Sequence, residues 1–491
     1  MKTTKIIAAA ISALLLSACI NDFLDEPPRK QNSTEIETFE QLNGLFITRE
    51  YSSQNPVFLL GTDLAGVSPV FYSDPMMSIF ISFREMLQYV WDCDYVGDMA
   101  NYAEAWEVCY GTWIFPANTI LEYIDKVTGD AEEKANLVAE AHYYRAFANM
   151  ELMDTYCLPY CAENLDEPGL PRKTSTSFEQ DVTRISLRDT HKMIEDDILE
   201  ALKIERTDMS RSWHVSLPAA QALAARFYLY SNDYEKALEY AEKALAAKAD
   251  LVDYNSGEIY LQPMTTAYGE VDITNLYNDW YDDQKMFAWK EFYHFATISS
   301  MVLPVSDFLL GKYDQENDLR YDFLIVDKFG WLLGKEDTST KGFLYFGMTN
   351  IPFGPTVQEM ILTKAECQAR LGEWQEAMET LVPLRNARMR PGTPKLTATS
   401  QNDAILKIAD ERIRELTFAT RWSDIRRYNN NETDIDDVTL SRTFYPYTAT
   451  EFTLDGELKT YTLDKKSRRF AAPLPTNEIL LSQGQIVQNT Y

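Results

Sequence analysis

Ser231-Asn232-Asp233-Tyr234-Glu235-Lys236-Ala237, followed by Ala241 and Ala244-Leu245, reads as a tight turn, an aromatic ring and then small residues at helical spacing. The same order returns at Leu371-Gly372-Glu373-Trp374-Gln375-Glu376-Ala377. Each resembles the helix-turn-helix of a tetratricopeptide repeat, in which small residues let the second helix approach the first while the aromatic fills the space beside the turn. Working outward, Leu137, Ala141, Tyr144, Ala148 and Leu152 recur at helical period, as do Ile405, Ala409, Ile413 and Leu416. Both segments read as amphipathic helices with one buried face. The two turns lie far apart in the chain, so the repeats are not a simple tandem array. The reading is an all-α fold of tetratricopeptide-like helix pairs separated by long loop insertions, and such insertions are where function is usually carried.

The amino end sets the expected compartment. Lys2 and Lys5 precede an apolar run over residues 6–16, which is the layout of a secretory signal peptide and is too short to span a bilayer. Leu16-Ser17-Ala18-Cys19 fits the pattern cut by the bacterial lipoprotein signal peptidase, so Cys19 is the expected lipidation site and first mature residue. One acyl chain holds a protein only marginally, at about 0.8 kcal/mol per buried CH₂, so stable anchoring implies more than one chain on Cys19. Residues 20–34, with Asp25-Glu26-Pro27-Pro28, are polar and broken by proline, as a tether should be.

Composition excludes several partners. The 491 residues carry a formal net charge of −29, which repels nucleic acid and anionic lipid, so membrane contact is expected through the anchor only. At 45% hydrophobic and 13% aromatic, the chain can bury a large core. With Cys19 lipidated, five of six cysteines are left, an odd number that rules out a complete disulfide framework. Pairing of Cys157 with Cys161, or of Cys93 with Cys109, stays open at this level, and Cys367 reads as a buried thiol in a helix.

Further motifs carry a resemblance. Asn21-Asp22-Phe23-Leu24-Asp25 follows the expected lipid site, and Tyr144-Arg145-Ala146-Phe147 leads to Pro159-Tyr160. Next come Asp314 with Asp318-Leu319-Arg320, then Asp410-Glu411-Arg412 through Glu415-Leu416 with Arg421-Trp422, Asp424 and Arg426-Arg427. Pro473-Leu474-Pro475 and Glu478-Ile479 close toward Gln488-Asn489 and Tyr491. Together, in this order, they resemble the RagB/SusD family of outer-membrane nutrient-binding lipoproteins of Bacteroidota. Ala419 and Thr420 stand where that family commonly has Glu-Gly, Cys157 where it has Gly, and the final Asn489-Thr490-Tyr491 lacks its Pro-Gly. The resemblance implies a single SusD-like body: signal peptide 1–18, tether 19–34, helical amino-terminal part 35–255 and loop-rich carboxy-terminal part 256–491. It also implies a cell-surface lid that binds an oligosaccharide or polysaccharide and delivers it to a SusC-like TonB-dependent transporter, with no cofactor and no catalysis of its own. In some members the cargo is a peptide.

A direct search for chemistry agrees with that expectation. The chain has no phosphate loop, no dinucleotide fingerprint, no His-Glu-x-x-His and no Gly-x-Ser-x-Gly. Its four histidines, His142, His191, His214 and His294, give little material for a metal site, and His142 reads as a packed or surface residue. Glu411 and Glu415 could be imagined as the carboxylate pair of a surface glycosidase. Arg412, Arg414, Arg421, Arg426 and Arg427 crowd the same stretch, so a structural ion-pair network is the better reading. The run Lys465-Lys466-Ser467-Arg468-Arg469 reads as a solvated loop or a partner contact.

Sugar binding needs flat aromatic surfaces beside hydrogen-bonding groups on a rigid frame. Residues 71–113 hold 11 aromatics in 43 positions, and residues 268–295 hold nine in 28, well above the 13% of the whole chain. Tyr102, Trp106, Tyr110 and Trp113 recur at helical spacing and read as core. Trp91 and Tyr95 beside acidic residues, and Trp280-Tyr281 in a polar, non-periodic stretch, are the expected ligand contacts, with Tyr72 beside Asp74-Pro75 as a further candidate. A scaffold that binds partners but no small ligand is the remaining alternative from another class.

Overall fold

The computed structural model describes residues 36–47, 51–53, 55–67, 83–94, 104–210, 214–266, 269–276, 290–299, 303–326, 342–346, 350–445, 447–448, 451–454 and 456–491. Helices dominate, and the strands are short and gathered in two- and three-stranded ribbons. Helix α1 (Phe39–Ile47) packs on α2 (Phe115–Tyr123), and α2 leads to the 26-residue α3 (Ala131–Tyr156). No glycine or proline interrupts α3, and the Asp130 side chain caps it by accepting from the Glu132 and Glu133 amides at 2.9 and 3.1 Å. It ends at Cys157 because Leu158 precedes Pro159, and a residue before proline is pushed out of helical conformation. From Asn136 onward almost every α3 side chain is buried, so this is the central helix and not a surface one.

The paired helices form around it. α4 (Leu187–Ala201) lies against α3, and α5 (Leu217–Tyr230) lies against α6 (Tyr234–Ala247). α6 packs on α7 (Val357–Arg370), which in turn carries α8 (Trp374–Thr380) and α9 (Gln401–Glu415). The two repeat turns have one geometry. Asn232 and Gly372 both take positive φ, 59° and 99°, and the next residue donates its amide five positions back, Asp233 to Tyr228 at 2.9 Å and Glu373 to Gln368 at 2.8 Å. That is a Schellman closure, which satisfies the last carbonyls of the first helix and aims the chain into the second. Ala237, Ala241, Ala244 and Ala377 are each fully buried, as the small-residue pattern predicts. The expected fold class is therefore observed.

Trp106, Tyr110 and Trp113 are in the core as expected; they belong to helical turns over 104–114, and Trp113 stacks on Tyr51 and Tyr144 at 4.7 and 5.0 Å between centroids. Tyr102 lies outside the described residues. Neither cysteine pairing forms: Cys93, Cys109, Cys157, Cys161 and Cys367 are free thiols. Burial pushes the Cys93 thiol up to about 12 and that of Cys157 to about 11, so both stay protonated and inert.

Candidate functional site

The motifs that looked most like a site turn out to be joints. Asp318 and Arg320 pair through two contacts of 2.7 and 2.8 Å, and Arg320 also meets Glu411 and Glu415, each at 2.8 Å. Arg414 and Arg385 complete the cage of Glu411 at 2.5 and 2.7 Å, while Arg388 holds Glu415 and Glu291. Burial alone would raise the Glu411 carboxyl, but these guanidiniums hold it well below the usual range. Glu411 is fully buried and the Glu415 side chain is 4% exposed, and arginines hold both carboxyls below the ordinary value, so neither keeps a proton for general acid chemistry. Trp422 donates its indole N–H to the Asp154 carbonyl at 3.0 Å, and Arg426 reaches the carbonyls of Phe470 and Cys157 at 2.6 and 2.9 Å. At the chain's end, Asn489 donates to the carbonyls of Tyr156 and Ala472 at 2.9 and 2.8 Å. Hence Trp422, Arg426 and Asn489 tie the chain's last stretch, residues 422–491, onto the end of α3.

The histidines are likewise committed to packing. His142 lies 2.7 Å from Asp197, which also takes two contacts from Arg145. His191 stacks on Tyr160 at 3.8 Å, and His294 is fully buried 3.1 Å from the Tyr144 hydroxyl. Among the described residues no group of three or more His, Cys, Asp or Glu side chains could hold a metal ion. The basic run near residue 465 is tied down by Asp437 at Lys465, Glu167 at Arg468 and Asp94 at Arg469.

What lies open is a cleft of about 840 Å³ between the 63–67 segment, the 305–308 turn, Arg421 and the strand β1 (Leu440–Phe444). Its size suits a small-molecule or oligosaccharide ligand. One wall is a single helical turn, Asp307–Leu310, capped by Ser306, whose Oγ accepts from the Leu309 amide at 3.2 Å and donates to the Asp63 carbonyl at 2.6 Å. Phe308 stands out from that turn with 41% of its surface exposed, its ring 4.8 Å from the Lys312 ammonium and 5.9 Å from the Arg421 guanidinium. Arg421 grips Asp63 through two hydrogen bonds of 2.9 and 2.6 Å. Burial disfavours its charge, yet Asp63 keeps its pKa above the ordinary value, so the pair is a fixed strut of the floor. Gly66 permits close approach of the two segments: a Cβ there would sit 2.4 Å from the Val305 carbonyl oxygen.

The opposite wall is β1, paired antiparallel with β2 (Lys459–Leu463); it presents Ser441 and Thr443 toward solvent, with the exposed Thr439 just before it. Arg442 turns inward and donates to the carbonyls of Leu60 and Tyr89, each at 2.6 Å, and to that of Thr62. Its guanidinium lies 3.9 Å from the Tyr89 ring and 4.7 Å from that of Trp91. The cleft thus offers an aromatic face and hydroxyls on a frame held by Arg421 and Arg442. Asp63 in its floor is held by Arg421, and Asp437 by Lys465.

Trp91 departs from the expectation of an exposed ligand contact. It is 3% exposed, its indole N–H donates to the Gly61 carbonyl at 2.8 Å, and Arg442 covers its ring, so it supports the cleft from beneath. The physical reason is its positive φ of 54° at the end of the 83–89 helix, which turns the side chain back under the chain. Tyr72, Tyr95, Trp280 and Tyr281 lie outside the described residues, as does Cys19. Asp63, Asp307, Phe308 and Arg442 were not singled out by sequence. Ser306-Asp307-Phe308-Leu309 does carry a helix-start signal, but only the fold shows that its aromatic faces outward.

Two family models match the chain, one described as starch-binding and associating with the outer membrane over residues 22–229, the other as the SusD family over residues 358–491. The chain belongs to the SusD/RagB family. The solved structure of a SusD superfamily protein from Bacteroides thetaiotaomicron is similar at 16% identity and a TM-score of 0.62, over 92% of this chain and 98% of that one. A laminarin-binding SusD-like protein matches at 18% identity and 0.58, and surface glycan-binding protein A from Bacteroides uniformis at 14% and 0.62, each over 92% of this chain and 99% of the other. At these identities the likeness establishes a shared fold. No curated protein sequence matches the chain. Among the described residues no helix is long and apolar enough to cross a membrane.

Proposed function

We propose that the protein is a cell-surface lipoprotein, anchored in the outer membrane through acylated Cys19, that captures an oligosaccharide and passes it to a partner TonB-dependent transporter without altering it. The observation that carries the glycan assignment is the 41%-exposed Phe308 ring at the rim of a cleft of about 840 Å³, facing a strand that presents hydroxyl groups. A pyranose offers an apolar C–H face to such a ring and its hydroxyls to the polar rim, while the buried arginines keep the frame from collapsing when the site is empty. Family membership supports the lid role, and the binding named for two of the similar structures, of laminarin and of surface glycans, supports the cargo class. We place Tyr72, Tyr95, Trp280 and Tyr281 as further aromatic contacts; Tyr72 follows the cleft-lining Val67 by five positions in sequence.

Affinity electrophoresis and calorimetry against a polysaccharide panel test the assignment. At least one glycan should retard the protein, and Phe308→Ala should weaken that binding about tenfold or more, the loss of one stacking anchor. No retardation and no heat with any glycan, together with heat on adding peptides, would replace the cargo. New reducing ends on prolonged incubation with the bound glycan would refute the purely binding role.

A further inference from the structure

The basic groups of the cleft are already committed within the protein. Its lining holds two guanidiniums, of Arg421 and Arg442, and three carboxylates, of Asp63, Asp307 and Asp437. Arg421 closes its fork on Asp63 through Nε and Nη2 at 2.9 and 2.6 Å. Arg442 donates to the backbone carbonyls of Leu60, Tyr89 and Thr62, and the rings of Tyr89 and Trp91 lie 3.9 and 4.7 Å from its guanidinium. The ammonium groups beside the cleft are tied as well. Lys312, 4.8 Å from the Phe308 ring, holds Asp410 at 2.6 Å, and Lys465 holds Asp437 at 2.5 Å. Each of these four basic side chains therefore has an acceptor of the protein's own.

That arrangement discriminates between classes of sugar. A uronate or sulfate group gives up its water only to donors that can meet its charge, and the strongest such contact is a guanidinium fork closing on two oxygens. The Arg421 fork could turn to a ligand only by abandoning Asp63, which would leave a carboxylate unpaired in the floor. Arg442 could do so only by releasing carbonyls of residues 60, 62 and 89, which it ties together. An uncharged pyranose asks for neither. Its C–H face needs a ring such as that of Phe308, and its hydroxyls need small polar groups such as the exposed Ser441 and Thr443.

Long-range charge points the same way. A net charge of −29 opposes the approach of a polyanionic chain, most strongly at low salt. The sequence around the other proposed contacts adds to that field. Tyr72 is followed by Asp74, Tyr95 is preceded by Asp94, and Trp280-Tyr281 stands between Asp279 and Asp282-Asp283, with no Lys or Arg within two positions of any of the four. Residues 327–341 lead to Gly342, whose carbonyl accepts from the Val305 amide at 3.0 Å beside the cleft. They carry Lys328, Lys335 and Lys341 against Asp327, Glu336 and Asp337, so they add no net charge. We infer that the cargo is an uncharged glycan, a chain of neutral sugars, and that the cleft turns away uronate-bearing and sulfated chains. This inference rests on the glycan-binding reading proposed above and names the class of glycan within it.

Calorimetry of the full chain against two groups of polysaccharides tests it. One group is uncharged, namely glucans, mannans and galactans; the other is acidic, namely polygalacturonate, alginate and chondroitin sulfate. Heat is expected with a member of the first group only. Its affinity should change less than about twofold between about 0.05 and about 0.5 M sodium chloride, because no ion pair with the ligand is screened. Light carboxymethylation of that glycan should weaken binding about tenfold or more. Ser441→Lys, which sets an ammonium on the cleft wall, should restore part of that loss. Heat with an acidic polysaccharide would overturn the inference and leave the glycan reading intact. So would a carboxymethylated chain that binds as well as its parent, or a loss that Ser441→Lys leaves unrepaired, which would trace the discrimination to size and not to charge. Silence from both groups would instead remove the glycan reading, and this inference with it.

Discussion

Glu366 shows what a single residue contributes here. It is 1% exposed in α7 and accepts two hydrogen bonds from Arg427, at 2.6 and 2.7 Å, and one from Arg370 at 2.8 Å. Burial would raise its carboxyl, but Arg427 and Arg370 overcome that and hold it far below the ordinary value. Such a pair adds little net stability when intact, yet is costly to break, because the surviving charges are then buried alone. Glu366→Gln should therefore destabilise the fold by about 3–5 kcal/mol, read as a lowered urea midpoint with unchanged slope. Gly66→Ala should act on the site instead. A methyl 2.4 Å from the Val305 carbonyl oxygen forces the cleft floor apart, so calorimetry should find weaker glycan binding with only a modest fall in thermal midpoint; unchanged affinity would detach this floor from the ligand.

At the scale of elements, the repeat turns were readable because their chemistry is local. A residue tolerant of positive φ, then an aromatic, then alanines every third or fourth position specify a turn and a close helix contact without help from the rest of the chain. Ala241 is fully buried between α6 and its neighbours, so Ala241→Leu should cost about 1–3 kcal/mol by overpacking. Ala241→Ser should cost much less, and equal costs would mean that size does not matter at this contact. The short Asp307–Leu310 turn was not readable in this way. Four residues give no periodicity, and whether Phe308 points inward or outward depends on the 63–67 segment and Lys312 beside it. Trp91 failed as a ligand candidate for the mirror-image reason: acidic neighbours in sequence suggested exposure, but a backbone φ of 54° turned the ring under Arg442.

The whole molecule responds to pH through its buried groups. Burial depresses His191 to about 4 and His294 to about 3, from an unfolded value near 6.5. A depressed folded value means that the unfolded chain binds the proton first, so this stability is fully present above pH 6.5 and is lost as pH falls toward 4 and then 3. The histidine contribution to the unfolding free energy should thus be flat above pH 6.5 and decline below it, by up to about 1.4 kcal/mol per pH unit for each histidine. His294→Gln should flatten that decline in urea titrations, and an unaltered slope would count against it. Glu411, Asp424 and Glu366, held low by arginines, add a second loss only below the ordinary carboxylate range, whereas Glu151 and Asp154, raised by burial, oppose it.

Sequence alone determined the helical class, the repeat turns, the core aromatics of residues 106–113 and the reading of Glu411 and Glu415 as an ion-pair network, because each depends on neighbours within a turn or two of helix or on a local excess of one charge. Only the tertiary structure decided that Asp318-Leu319-Arg320 closes on Glu411 and Glu415, that Arg421 reaches back across the chain to Asp63, and that the Phe308 ring faces solvent. Those outcomes depend on which distant segments come together, and burial is a property of that assembly, with no counterpart in any single stretch of residues.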